Sequence, residues 1–164
     1  MGLKQLIEAI FLNGGTGRQV RRAAAADPQN VWLTLFTITG GAVLITGLYG
    51  IRTVIQAGGA SNMQFRHSIA TTVLNVATAI TGNAVSTLYT ITGNVLDNLV
   101  IGAAGVPIQG GMHGSQAGAS IQQFGMVMFT GNIQVTMTAA AGTGSTRYTL
   151  AYIPIDNGAS VAVA

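Results

Sequence analysis

The sequence predicts a mainly β fold, an antiparallel β-sandwich or jelly-roll-like domain preceded by a short N-terminal helix and an extended arm. Three observations point there. From Val31 onward the chain is rich in Thr and β-branched residues punctuated by Gly and Asn, the composition of strands and tight turns. Met126, Met128 and Thr130 alternate with Val127 and Phe129, and after Gly131-Asn132 the residues Ile133, Val135 and Met137 alternate with Gln134, Thr136 and Thr138. That period of two is the mark of a half-buried strand. Strand-like runs of this kind recur often enough along the chain for a sandwich or jelly roll.

Taken in order, Leu3, Leu6, Ile7, Ile10 and Phe11 recur at helical spacing, with Lys4 and Glu8 four apart on another side and Asn13-Gly14-Gly15 as a stop. So short an amphipathic helix is marginal alone, and its apolar stripe must dock on its own domain or on a neighbour. Residues 14–26 are rich in Gly, Arg and Ala, are closed by Asp27-Pro28, and read as a linker or extended arm. The division is then 1–28 for helix and basic arm and 29–164 for the β domain. Strands are expected at 31–39, 42–55, 68–78, 84–92, 95–101, 126–130, 133–139 and 146–153. Gly40-Gly41 and Gly131-Asn132 each carry the chemistry of a hairpin turn. Pro154 cannot donate to a ladder and marks a strand end. Residues 102–120, rich in Gly, Gln and Ala, form a loop of unusual length.

A chain of 164 residues is long enough to bury a core as one ordinary domain. Its charged residues reach only 7%, against roughly 25% in a typical soluble domain. A free monomer normally covers itself with charge, so this surface is built either from Thr, Ser, Asn and Gln or from residues that a partner covers. The absence of Cys removes disulfides, thiolate nucleophiles and Cys-ligated metals. The net charge of +3 matters less than its placement: Lys4, Arg18, Arg21 and Arg22 stand near the N-terminus with only Glu8 among them.

Residues 31–51 carry no charge over a length able to cross a bilayer, with Arg21 and Arg22 upstream as a positive-inside flank would be. Thr34, Thr37, Thr39, Thr46 and the central Gly pair favour strands instead, so a membrane span is not expected. Nor is a signal peptide, because Lys4, Gln5 and Glu8 interrupt the first apolar run.

Chemistry is sparse. His67 and His113 are the histidines, and Glu8, Asp27, Asp97 and Asp156 are spread widely with nothing local to pair them. Asp97 and Asp156 read as turn or strand-end residues, and His67, beside Arg66, as a solvated or interface residue. The run Gly14-Gly15-Thr16-Gly17-Arg18 lacks the spacing and the Lys-Ser/Thr of a phosphate loop. No catalytic residue, cofactor or metal site is expected, and the chain is not read as an enzyme. Arg18, Arg21 and Arg22 offer phosphates a modest, salt-sensitive attraction and no base reading, so direct nucleic-acid contact is not expected. Trp32, Phe36, Tyr49, Tyr89, Tyr148 and Tyr152 fall in strands, where core packing is the default.

Two stretches, LFTITGGAVLITGLYG at 35–50 and YTLAYIPIDNGASV at 148–161, are similar to decoration, cement or auxiliary head proteins of tailed double-stranded DNA bacteriophages. The resemblance covers the two ends of the β region and not residues 57–123. It implies a sandwich or jelly-roll-like subunit, a homotrimer on the outer capsid surface of the virion, which stabilises the shell by bridging major capsid subunits. The partners it implies are the major capsid protein and further copies of the chain, with no small-molecule substrate. The residues expected to meet a partner are Leu3, Leu6, Ile7, Ile10, Phe11, Arg18, Arg21 and Arg22. Competing readings are another virion component, such as a head-fibre, tail or minor coat subunit; a membrane-anchored β domain using 31–51 as a helix; and a sugar-binding sandwich using the 102–120 loop with Tyr152 or Trp32.

Overall fold

A computed structural model of the chain describes residues 17–56, 59–69, 71–104, 114–116, 119–121, 125–138 and 144–164. The regular structure among them is all β. In chain order the strands are β1 (Arg18–Ala26), β2 (Leu33–Thr39), β3 (Val43–Val54), β4 (Asn62–His67), β5 (Thr72–Val73), β6 (Thr78–Ala79) and β7 (Leu88–Thr90). They continue as β8 (Val100–Gly102), β9 (Gly114–Gln116), β10 (Ala119–Ile121), β11 (Met126–Met128), β12 (Gly131–Thr138), β13 (Ser145–Pro154) and β14 (Ser160–Val163). A front sheet has the order β1-β13-β3-β7-β8, with β11 also on β3; a back sheet has the order β14-β2-β12-β4-β5, with β6 also on β4. Strands β9 and β10 form a separate ribbon within the long loop.

The two sheets pack face to face as the expected antiparallel sandwich. Alternation builds the core: in β12 Ile133, Val135 and Met137 point inward, and in β4 Met63 and Phe65 do the same. Opposite them the front sheet contributes Val43, Ile45, Leu48, Tyr148, Leu150 and Tyr152. Phe65 of the back sheet meets Tyr148 of the front sheet edge to face, with ring centroids 6.0 Å apart. Of the aromatics expected in the core, Phe36, Tyr89, Tyr148 and Tyr152 are buried, while Trp32 and Tyr49 are half-exposed.

Several expectations are corrected. Neither predicted hairpin is one: β2 and β3 flank Gly40-Gly41 but lie in opposite sheets, as do β11 and β12 around Gly131. Gly40-Gly41 does make a tight turn, but Gly131 and Asn132 are the first residues of β12 rather than a turn. Gly40 and Gly41 adopt φ of +74° and +132°, which suits a tight corner between sheets as well as a hairpin. That corner is latched to the one linking β13 to β14, where the Asp156 carboxylate accepts the Ala42 N–H at 2.7 Å and the Ala42 carbonyl accepts the Ile155 N–H at 2.9 Å. A side chain on Gly41 would run into Asp156.

The stretch read as a linker or extended arm is extended over Arg18–Ala26, but it is paired with β13 along its length and belongs to the front sheet. The boundary between arm and β domain therefore does not separate β1 from the sandwich. Residues 31–51 hold β2 and most of β3, so the membrane-helix alternative does not hold; no helix among the described residues is long and apolar enough to cross a membrane. The strand expected at 95–101 shrinks to β8, and the one at 68–78 to two short strands against β4. The N-terminal helix, with Leu3, Leu6, Ile7, Ile10 and Phe11, lies outside the described residues.

Candidate interaction surface

The predicted contact arginines do not form one patch. Successive residues of a strand face opposite ways, and on β1 Arg18 and Arg22 pair with the inward Tyr152 and Tyr148, while Arg21 pairs with Thr149 on the outer face. Arg18 and Arg21 are exposed. Arg22 is used internally: its guanidinium crosses the open side of the sandwich and donates to the Thr34 carbonyl at 2.6 Å and the Ala164 carbonyl at 3.0 Å. It ties β1 of the front sheet to β2 and the C-terminal end of the back sheet.

The residues that sequence reasoning did not single out make the larger surface. Register places Ile153 of β13, Leu44 of β3 and Val127 of β11 in one row across the outer face of the front sheet. Their neighbours Tyr152, Ile45 and Met128 are buried, which fixes the row as outward-facing. Val127 is 52% exposed and Phe129, two residues on, 67%; Ile69, in the turn after β4 of the back sheet, is 70% exposed. Ile69 stands beside Gly131, and the His67 ring nitrogen lies 3.2 Å from the Phe129 carbonyl. A hollow lined by His67, Leu74, Val127, Met128 and Phe129 opens at this end. Exposed apolar side chains such as Val127 and Phe129 beside an apolar row are the kind of feature that marks contact surfaces.

The outer face of the back sheet is different in kind. Thr34, Gln134 and Arg66 form one row, in which Gln134 donates to Thr34 at 3.1 Å and accepts from Arg66 at 2.8 Å. Thr37 donates to Asn132 at 3.0 Å, and the hydroxyls of Thr39 and Ser160 lie 3.2 Å apart. The Arg66 guanidinium sits 4.1 Å from the centre of the Trp32 ring. This face is wet by neutral amides and hydroxyls that bond one another.

The acidic residues among the described ones, Asp27, Asp97 and Asp156, each hold a structural contact. Asp97 accepts from Thr92 at 2.8 Å and from Asn94 at 3.0 Å within its own turn, and Asp156 latches the corner described above. Asp27, just beyond β1, forms a buried ion pair with Arg52 of β3. Thr146 donates to Asp27 at 2.9 Å, and Arg52 donates to the Tyr89 hydroxyl at 3.2 Å. The Arg52 side chain is 0% exposed; burial opposes its charge, but Asp27 and Tyr89 outweigh that and raise its pKa. The neighbouring Tyr148 phenol is pushed far above its usual range by burial and then by the Asp27 carboxylate. Gly144 closes the cluster, since a side chain there would strike both ion-pair partners. One signal could have revealed Arg52: in β3 it falls in phase with the inward Leu48, a poor position for a lone charge. Among the described residues no three His, Cys, Asp or Glu side chains gather where a metal ion could be held.

No family model, curated protein or solved structure matches the chain.

Proposed function

We propose that the chain is a structural virion protein that binds the outer surface of a phage capsid as a homotrimer and stabilises the shell by bridging major capsid subunits. The observation that carries this reading is the apolar band on the front sheet, ending in the exposed Val127 and Phe129, on a chain with too little charge to need solvent on every side. Exposed Arg18 and Arg21 add positive charge at the β1 edge for an acidic neighbour.

The two stretches that resemble phage head-associated proteins are neighbours in space: β13 pairs with β3, and β14 pairs with β2. β13 and β3 sit side by side in the front sheet, and β14 lines the edge of the back sheet beside β2. The mechanism is cohesive. Apolar burial is worth about 25 cal/mol per Å² before ordering costs, and many modest contacts around a closed shell add up to resistance that no single contact gives.

Light scattering of the purified chain, followed by co-sedimentation with shells that lack it, tests the reading. A trimer that saturates the shells at a fixed ratio is expected. A monomer that ignores the shells at every concentration overturns it.

A further inference from the structure

We infer that β1 is a docking edge, which takes an extended, acidic segment of a partner as an additional strand of the front sheet. This extends the capsid reading, which asks only for an acidic neighbour at β1, and it stands without a shell. The ends of the two sheets are β1, β8, β14 and β5. Strands β8, β14 and β5 are short, at three, four and two residues, while β1 runs for nine. A short edge strand offers little to pair with, and a long one presents a row of backbone donors and acceptors to whatever strand comes beside it. Asp27 donates its N–H to the Gly144 carbonyl at 2.9 Å on the β13 side, so alternation turns the N–H and carbonyl of Ala26 away from the sheet. Among the described residues no strand pairs with that side of β1.

The edge is held in place and carries positive charge. Arg22 ties the middle of β1 to the Thr34 and Ala164 carbonyls, and the buried Asp27 holds its end. An edge fixed in this way has little left to order when a strand docks. In the regular stretch from Arg18 to Arg22, Arg18 and Arg21 are exposed and lie on opposite faces. Neither has an ion-pair partner among the described residues, and β1 itself carries no acid. A second β1 would bring the same charge to this edge, whereas a strand with carboxylates three residues apart sets one opposite each arginine. Toward the end of β1, Ala23, Ala24 and Ala26 are small and exposed, which leaves room for the side chains of the added strand. The occupant is an extended segment with Asp or Glu at two positions three apart, held by main-chain hydrogen bonds and set in register by the two arginines.

The probe is a synthetic peptide of nine residues, the length of β1, built from Thr and Val with two Glu three apart. It is titrated into the full chain by calorimetry, and amide hydrogen exchange of β1 is followed with and without it. Saturable binding of one peptide per chain is expected, with exchange slowed at alternate residues of β1. Binding should weaken about tenfold or more when Lys replaces both Glu, and likewise when the peptide amides are N-methylated. Arg18→Glu/Arg21→Glu should reverse the preference in favour of the Lys peptide, with an unchanged melting temperature as the check on its fold. No binding, binding indifferent to N-methylation, or a charge preference that the double variant does not reverse overturns the inference. Self-association of the free chain that the Glu peptide fails to displace would overturn it in favour of a second copy at this edge. No shell enters these measurements, so their failure leaves the capsid reading standing.

Discussion

The two outer faces of this sandwich answer the same shortage of charge in opposite ways. The back face carries Thr34, Thr37, Asn132, Gln134 and Ser160, which bond to one another across strands and present neutral polar groups to water. The front face carries Ile153, Leu44 and Val127, with Phe129 beyond. A chain with 7% charged residues has both options, neutral polar rows and apolar rows, and this one places a hydrogen-bonded polar row on the back sheet and an apolar row on the front sheet. The difference teaches where to look for partners: at the apolar row of Ile153, Leu44 and Val127, whose side chains have no hydrogen bonds to offer.

The contrast holds only while the front sheet is anchored, so the strongest way to break it is inside. Asp27→Ala leaves Arg52 buried and unpaired, and should cost about 3–5 kcal/mol in urea unfolding, enough to endanger the fold. Gly144→Ala drives a methyl into the same ion pair and should cost about 1–3 kcal/mol.

Alkaline pH probes the same anchor without mutation. The Tyr148 phenol has a raised pKa when folded, so near neutrality it is protonated in both states and costs nothing. Above about pH 10 the unfolded chain releases that proton while the folded chain keeps it, and stability should fall by about 1.4 kcal/mol per pH unit. In Tyr148→Phe this contribution should vanish, leaving a shallower alkaline slope in denaturant melts taken from pH 9 to 11.

Surface changes sharpen the comparison with smaller effects. Phe129→Ser should weaken binding to shells at least tenfold in co-sedimentation while moving the melting temperature little. Thr39→Ala on the back face should change stability by less than about 0.5 kcal/mol and leave association unchanged.

Much of the sandwich was legible from sequence, for reasons visible in particular strands. β3, β12 and β13 are long and half-buried, and their alternation of apolar and polar residues announces both strand and inward face. β1 was missed because RQVRRAAAA has almost no apolar alternation; its place is set by hydrogen bonds to β13 and by the anchors Arg22 and Asp27, all distant in sequence. β4 was missed because only Met63 and Phe65 carry the pattern, and β14 because it is short. The corners at Gly40-Gly41 and Gly131 were read as hairpins because local turn chemistry is the same for a chain that pairs with itself and one that crosses to another sheet. Only long-range pairing decides between them. The interaction surface was harder still, since Ile153, Leu44 and Val127 are far apart in sequence and become one row through register alone.

The most direct test of the central claim is a paired co-sedimentation with capsid shells lacking the protein, comparing Phe129→Asp on the front sheet's apolar band with Asn132→Asp on the back face. Loss of shell binding by the first with retention by the second is the predicted result. Equal binding by both, or loss only with the back-face charge, would contradict the assignment of the apolar band as the docking surface.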